Sequence, residues 1–544
     1  MASTTETTLS AAQTGFPPHT GPILGALGTI RNGDAAPRRG WGARLKILLA
    51  ILGPGLIVMV GDNDAGAFGT YTQAGQDFGL SLLWTLPLLV PVLYLNQEMV
   101  LRLGAVARVG HGRLILERFG RFWGAFSVID LFLLNALTIV TEFIGLNLAF
   151  DFLGVPKFLG IAVAAGLIML AAGTGSFRRF ERFSLVLVVG SLLLIPVFLA
   201  IHPPLGQIAH HLFVPELPKG GRLADVMLLI IAIVGTTIAP WQLFFQQSYV
   251  IDKRITPRFI PYERTDLWIG IVLVMVGAVA MMAFTAATFA GHAEAGHFID
   301  AGAVAAGIAH HVGELPGVLF ALALVDACII GAAAVSLATA YAVGDVLDLG
   351  HSLHNKPSES KLFYTIYCGL IGLAAALVLT PGTPLGLLTN AVQSLAGVLL
   401  PSATVFLLLL CNDEAVLGPW INGRWYNLFT GLVIAVLIIL SMILTAAVLF
   451  PGLSDEAILV LLGGGGALAI VGWVATGGGR RGKPVAAAAD KALRTLWRMP
   501  PLAELPPRQL SLSERVWLIV LRAYLFLAAG LVLVRIGMLA MGGA

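Results

Sequence analysis

The sequence predicts an all-α polytopic membrane protein, and three observations carry that reading. Hydrophobic residues make up 57% of the 544 and charged residues only 12%, against about 25% charged in soluble domains; mean hydropathy is +0.88. A soluble fold of this size has nowhere to hide so much apolar surface, because part of every folded surface faces water. The apolar residues also come in runs close to the ~20 needed for a membrane-crossing helix, and the alternating segments of an outer-membrane barrel are scarce. Finally, Lys and Arg gather in every second connection, as the positive-inside rule requires. Soluble enzymes, disordered chains and nucleic-acid-binding proteins are excluded as the main reading. A net charge of +3 implies no polyanionic partner, and three cysteines without a C-x-x-C pair imply no disulfide framework.

Taken in order, residues 1–44 lack the basic-then-apolar pattern of a secretory signal and are expected to be a disordered cytoplasmic tail. About thirteen runs then satisfy the span rule. They lie near 47–75, 79–102, 123–150, 157–174, 182–201, 224–250, 266–290, 315–346, 362–380, 385–411, 425–450, 457–476 and 514–541. With the N-terminus inside, the inner connections hold Arg102, Arg108, Arg113, Arg118 and Arg121, then Arg178, Arg179 and Arg182, then Lys253, Arg254, Arg258 and Arg264, while the outer loops hold only Lys157, Lys219 and Arg222. The expected location is a multi-pass protein of a bacterial inner membrane, with the lipid bilayer as its surroundings and no nucleic acid as partner.

Two spans are interrupted. The first runs Gly53-Pro54-Gly55, then Gly61-Asp62-Asn63-Asp64-Ala65-Gly66, placing two carboxylates and an amide mid-span. A carboxylate at the bilayer centre costs about 2.5–3.5 kcal/mol even on the lenient insertion scale, and non-helical backbone at that depth survives only where it is buried in protein or lines a cavity. The sixth span carries Gly235-Thr236-Thr237-Ile238-Ala239-Pro240-Trp241-Gln242, where Pro240 removes a helical hydrogen bond and frees carbonyls. Four spans separate the breaks. That spacing points to an inverted-repeat transporter: one five-helix repeat over 45–201, an extracellular loop over 202–223, a second repeat over 224–411, helices 11 and 12 over 412–476, a cytoplasmic linker over 477–512 and a final helix over 513–544. Gly/Pro kinks used for packing alone would leave Asp62 and Asp64 unexplained. The donors are hard oxygens, suited to Mg²⁺ and Mn²⁺ and lacking sulfur to favour softer metals.

At these residues the chain resembles the Nramp family of divalent-metal transporters. The stretches that carry the resemblance are Gly53-Pro54-Gly55, Asp64-Ala65-Gly66-Ala67, Gln73-Ala74-Gly75, Gln97-Glu98-Met99, Glu142-Phe143-Ile144-Gly145, Arg178 or Arg179 with Glu181, Gly235 to Phe245, and Gln393 ahead of Pro401, across about residues 45–450. The resemblance implies the LeuT-type fold, two inverted five-helix repeats plus two to three extra C-terminal helices. Of the family's usual side-chain ligands the chain keeps only Asp64 and Gln393. Taken with the residues of the two breaks, the expected midplane metal site is Asp64, Asp62, Ala65, Thr236, Ala239 and Gln393, with Asn63, Gln242, Glu142 and Asp326 along the ion pathway. The departures are specific. Ala67 replaces the family's metal-binding Asn, Ala239 its metal-binding Met, Trp241 the neighbouring His and Ile139 a proton-transfer Asp; Asp62 stands where an aromatic residue is usual.

Loss of the thioether leaves a roomier, oxygen-only site of the kind seen in the family's magnesium-transporter branch. Such a site fits a partly hydrated ion, since Mg²⁺ gives up water reluctantly. With two titratable groups gone, weak or absent proton coupling is expected, and the membrane potential supplies about 4.6 kcal/mol per divalent ion at 100 mV. No cofactor is expected; the metal is substrate. Glu142 reads as a proton relay or a structural acid, Asp326 as a coupling-ion site or a packing group, and Asp130, Asn135 and Thr138 as packing or cavity polar groups. The outer residues His292, Glu294, His297 and Asp300 read as loop polarity or a metal-gathering cluster. The competing functions are a proton-coupled Mn²⁺/Fe²⁺ symporter and an amino-acid/Na⁺ symporter of the same fold. An intramembrane enzyme is disfavoured because Asp62 and Asp64 share one segment rather than facing each other.

Overall fold

The computed structural model describes residues 21–382 except 33, 35–39 and 219–221, then 392, 396 and 401–475 except 451–453, and scattered positions from 494 to 534. Strands β1 (Ile23–Gly25) and β2 (Gly28–Ile30) form a small antiparallel hairpin. The rest is helical: α1 (Trp41–Ile51), α2 (Pro54–Val60), α3 (Ala65–Phe78), α4 (Thr85–Ala107), α5 (His111–Phe119), α6 (Arg121–Phe152), α7 (Lys157–Gly173), α8 (Phe177–Gly190), α9 (Leu194–Ile201), α10 (Leu205–Phe213), α11 (Leu223–Thr237), α12 (Pro240–Asp252), α13 (Ile260–Phe289), α14 (Ala301–His311), α15 (Glu314–Val346), α16 (Lys361–Leu379), α17 (Pro401–Cys411), α18 (Glu414–Leu417), α19 (Arg424–Leu449) and α20 (Asp455–Ala475). Among the described residues eight helices or continuous helix pairs are long and apolar enough to cross a membrane, or up to ten if each of two bent pairs counts as one span.

Among the described residues, the first twelve apolar runs fall mainly on helix, apart from the breaks in the first and sixth. The thirteenth, at 514–541, and the part of the tenth before 401 lie largely outside the described residues. The tail expected to be disordered over 1–44 is corrected in part: residues 23–30 form the hairpin, and α1 already begins at Trp41. The reason is the apolar stretch from Ile23 to Ile30, which buries Ile23, Ala26 and Ile30 against the helices. Of the expected linker, Pro506 and Arg508 dock back onto the body, through Arg118 Nη1 to the Pro506 carbonyl (2.7 Å) and Arg508 to Asp413 (3.2 Å).

Small residues let the central helices touch. A Cβ on Gly55 would sit 2.7 Å from the Leu267 backbone, one on Gly75 2.3 Å from the Met282 carbonyl and one on Gly270 2.8 Å from the Gly55 carbonyl. So α13 lies against both α2 and α3, the close approach that membrane helices achieve with glycine because lipid offers no hydrophobic drive. On the other side α6 meets α15, where Gly145 makes room for Cys328 and Gly331 for Glu142. The two broken helices also meet directly, α11 against α3 and α12 against α2.

Candidate metal site

Between α2 and α3 the chain leaves the helix for Gly61 to Asp64, and Asp64 is the N-cap of α3. Its Oδ1 accepts from the Ala67 amide at 3.0 Å. A carboxylate suits that position because the first amides of a helix lack partners and form the positive end of its dipole. Across from it, α11 ends at Thr237, Ile238 and Ala239 are non-helical, and Pro240 opens α12. Proline has no N–H to return to the Thr236 carbonyl, and as the first residue of a helix it costs little.

A cavity of about 1280 Å³ opens between these breaks. Asp64, Ala65, Gly66, Thr236, Ala239, Pro240 and Trp241 line its deep end, α6 adds Thr138 and Thr141, and Asp77, Asp225 and Asp300 line it where α3 ends and α11 and α14 begin. That end is the mouth; the opposite end carries the hairpin. A Cβ on Gly66 would lie 3.2 Å from Asp64 Oδ1 and 3.5 Å from Thr236 Oγ1, so the carboxylate and the hydroxyl face one gap that only glycine leaves open. No Met, Cys or His is among the described residues that line the cavity.

Asp64, Ala65, Thr236 and Ala239 therefore come together, and Asp62 does not join them among the cavity-lining residues. Asp62 is buried, its Oδ1 accepting from Gln242 Nε2, and Gln242 Oε1 accepts from Gln97 Nε2 at 2.9 Å. Residues 61–64 are non-helical, and along this turn the two carboxylates meet different partners, Gln242 for Asp62 and the Ala67 amide for Asp64. Asn63 points at α13 and donates to the Val274 carbonyl at 3.3 Å. Glu142 sits behind Ala65, accepts that residue's amide at 3.1 Å and lies within hydrogen-bonding reach of the Asp64 carboxyl. Asp326 packs on Gly190 of α8, away from the cavity. Gln393 lies outside the described residues; its neighbours Val392 and Ala396 line the cavity.

Thr138 faces the cavity as a polar group, whereas Asn135 donates to Thr339 Oγ1 at 2.8 Å. Thr141 and Gly66 were not singled out by sequence; the spacing of Thr138 and Thr141, three apart on one helical face, was the available signal. The outer cluster does not converge: Glu294 pairs with His311 (3.5 Å), His292 stacks on His311, and Asp300 caps α14 through the Ala303 amide (2.8 Å). Among the described residues, the donor atoms of His210, His211 and Glu216 do lie within 4.8 Å of one another.

The family model described as Natural resistance-associated macrophage protein-like, Nramp, matches residues 55–447. The chain belongs to the Nramp family. As an Nramp protein it is a membrane transporter and not an enzyme. It is 30% identical over 398 residues to the divalent metal cation transporter MntH of Ralstonia nicotianae, covering 70% of this chain and 86% of that protein. It is 29% identical over 430 residues to MntH of Deinococcus radiodurans, covering 76% and 92%. The manganese transporter of Eremococcus coleocola has the same fold, with a TM-score of 0.62 at 21% identity over 81% of this chain and 95% of that one.

Proposed function

We propose that this Nramp protein imports Mn²⁺ and Mg²⁺ by alternating access, with the mouth outside, the hairpin end cytoplasmic and little or no proton coupling. One observation carries the reading: the Asp64 carboxylate, the Thr236 hydroxyl and the Ala65 and Ala239 backbone border the deep end of a cavity wide enough for a hydrated ion, with oxygen donors and no sulfur or imidazole among the described lining residues. Hard oxygen donors suit small divalent ions that keep part of their water. The relatives named for divalent metal and manganese support the ion class. Gln393 is the expected further ligand from the tenth helix. Asp62 acts from behind, by fixing Gln242 beneath the floor.

Glu142 favours a second reading, proton-coupled transport of transition metal, because it is a buried acid beside Asp64. Against it, Ile139 and Trp241 leave no further titratable groups at the two positions where the family places them. A single assay separates the two: Mn²⁺ influx into liposomes with Mg²⁺, Ca²⁺ and Cd²⁺ as competitors, recording internal pH. Competition by Mg²⁺ at steady internal pH supports the first reading. Acidification that tracks influx, with Mg²⁺ inert, replaces it with the second.

A further inference from the structure

The hairpin end of the molecule is shut, and the way it is shut involves the N-terminal segment directly. Lys253, at the end of α12 and fully buried, gives its ammonium protons to the Ile51 carbonyl (2.5 Å), the Leu52 carbonyl (3.0 Å) and Glu181 Oε1 (2.5 Å). The first two are the orphan carbonyls at the end of α1, the negative end of that helix. The other oxygen of Glu181, on α8, accepts the amide of Ala26 at the hairpin tip. Arg178 donates to the Gly25 carbonyl (3.1 Å) and to Thr29 Oγ1, and Arg182 to the Ala26 carbonyl (3.1 Å). On its other face the hairpin backbone lies on α1: a Cβ on Gly25 would fall 1.9 Å from the Ala50 carbonyl oxygen and one on Gly28 2.9 Å from Ala50 Cβ. The hairpin thus bridges α1, which leads into α2, to α8.

The junction between α1 and α2 is held from the opposite side as well. Asp266 of α13 accepts from the amides of Gly53 (3.1 Å), Gly55 (2.7 Å) and Leu56 (3.3 Å). An ion resting at Asp64 has no way past this layer unless α2 moves, and α2 is tied through α1 and the hairpin to α8.

We propose that the N-terminal hairpin is a positioning element of the gate, bolting the hairpin end shut and so favouring the state in which the mouth is open. The proposal rests on the transport reading above. Three of its bonds to α8 are charge-assisted, formed by Arg178 and Arg182, and one seats on a buried carboxylate that is itself ion-paired. All of them must break, or the packing of the hairpin on α1 must part, before α2 can swing away. A segment that contacts only one state shifts the balance by its differential binding to that state.

The test compares the full chain with Gly25→Val, whose side chain meets the Ala50 carbonyl, and with a chain lacking residues 1–30. Hydrogen exchange of the α2 amides, read by mass spectrometry without metal, should quicken at least about fivefold in both, the lower end of conformational couplings. Exchange in α3 and α15 should stay as in the parent. Apparent affinity for external Mn²⁺ in liposomes should weaken by no more than that factor, because it follows only the fraction of molecules that leave the competent state. Unchanged α2 exchange in both variants overturns the proposal. So does faster exchange throughout, or loss of a monodisperse protein in both, since the hairpin would then be holding the fold rather than a balance of states. Failure of the parent to take up Mn²⁺ would strike the transport reading instead and leave the exchange result standing.

Discussion

The mouth half and the hairpin half are built from the same residue types and use them in opposite ways. Glycine shows it. At Gly69 and Gly235, which line the cavity, an added Cβ would meet nothing within 4 Å; at Gly25, Gly53 and Gly55 it would strike backbone or a charged side chain within 2.7 Å. Gly69 and Gly235 keep the wall bare, and Gly25, Gly53 and Gly55 let chains touch. Charge divides likewise. The acids of the mouth half, Asp64, Asp77, Asp225 and Asp300, line the cavity, whereas Glu181, Lys253 and Asp266 are wholly buried, the first two paired with each other and Asp266 bonded to the α1–α2 junction. A site that must admit an ion and a seal that must stop one differ in solvent access more than in composition.

The largest expected effect breaks the wet half. Asp64→Asn keeps an N-cap for α3, since Asn caps about as well as Asp, but removes the negative charge. Mn²⁺ uptake in liposomes should fall to background with the melting temperature nearly unchanged, and Asp64→Ala should do the same with an added loss of about 1 kcal/mol from the cap. Uptake by Asp64→Asn at more than a tenth of the parent rate would remove Asp64 from the site.

Next comes the dry half. Lys253→Met strands the Glu181 carboxylate in a buried seam, a loss of about 3–5 kcal/mol that thermal unfolding in detergent would record. Pairing it with Glu181→Gln should recover much of that loss. No recovery would mean that the seam is not held by the ion pair.

A third test uses pH on the same half. Burial pulls the His351 imidazole down, but Asp345, 2.9 Å away, more than reverses it and leaves it near 9, against an ordinary 6.5. A raised value means the protonated form is favoured in the folded state. Its contribution, of order 3 kcal/mol, is complete below pH 6.5 and is lost as pH rises through 9. Melting temperatures taken from pH 6 to 10 should decline over that window, and His351→Gln should flatten the decline.

The smallest effect sharpens the chemistry of the floor. Ala239→Met adds a thioether to an oxygen-lined site, so competition by Cd²⁺ against Mn²⁺ should strengthen about tenfold relative to Mg²⁺, following ligand softness. An unaltered ion profile would place residue 239 out of the ion's reach.

Much of the wet half was legible in the sequence. Asp64 and Pro240 are costly in a membrane, and residues that are costly for a helix in lipid announce a break. The dry half was not. Glu181 and Lys253 stand 72 residues apart, each looks like an ordinary charge at the end of a span, and nothing local says that they meet. The hairpin was passed over because two three-residue strands are too short for a periodicity to show; the run from Ile23 to Ile30, apolar within a polar tail, was the clue. Asp62 was grouped with Asp64 by proximity in sequence, where the bend sends the two carboxylates to different neighbours.

Lys253 has one further consequence. All three of its ammonium protons are used on protein oxygens, so this buried charge is satisfied by the protein itself. A bilayer that holds a voltage is short-circuited by any continuous thread of water, and a transporter standing open on one face is always half-way to providing one. A buried lysine that takes nothing from solvent removes one foothold for such a thread on the hairpin side.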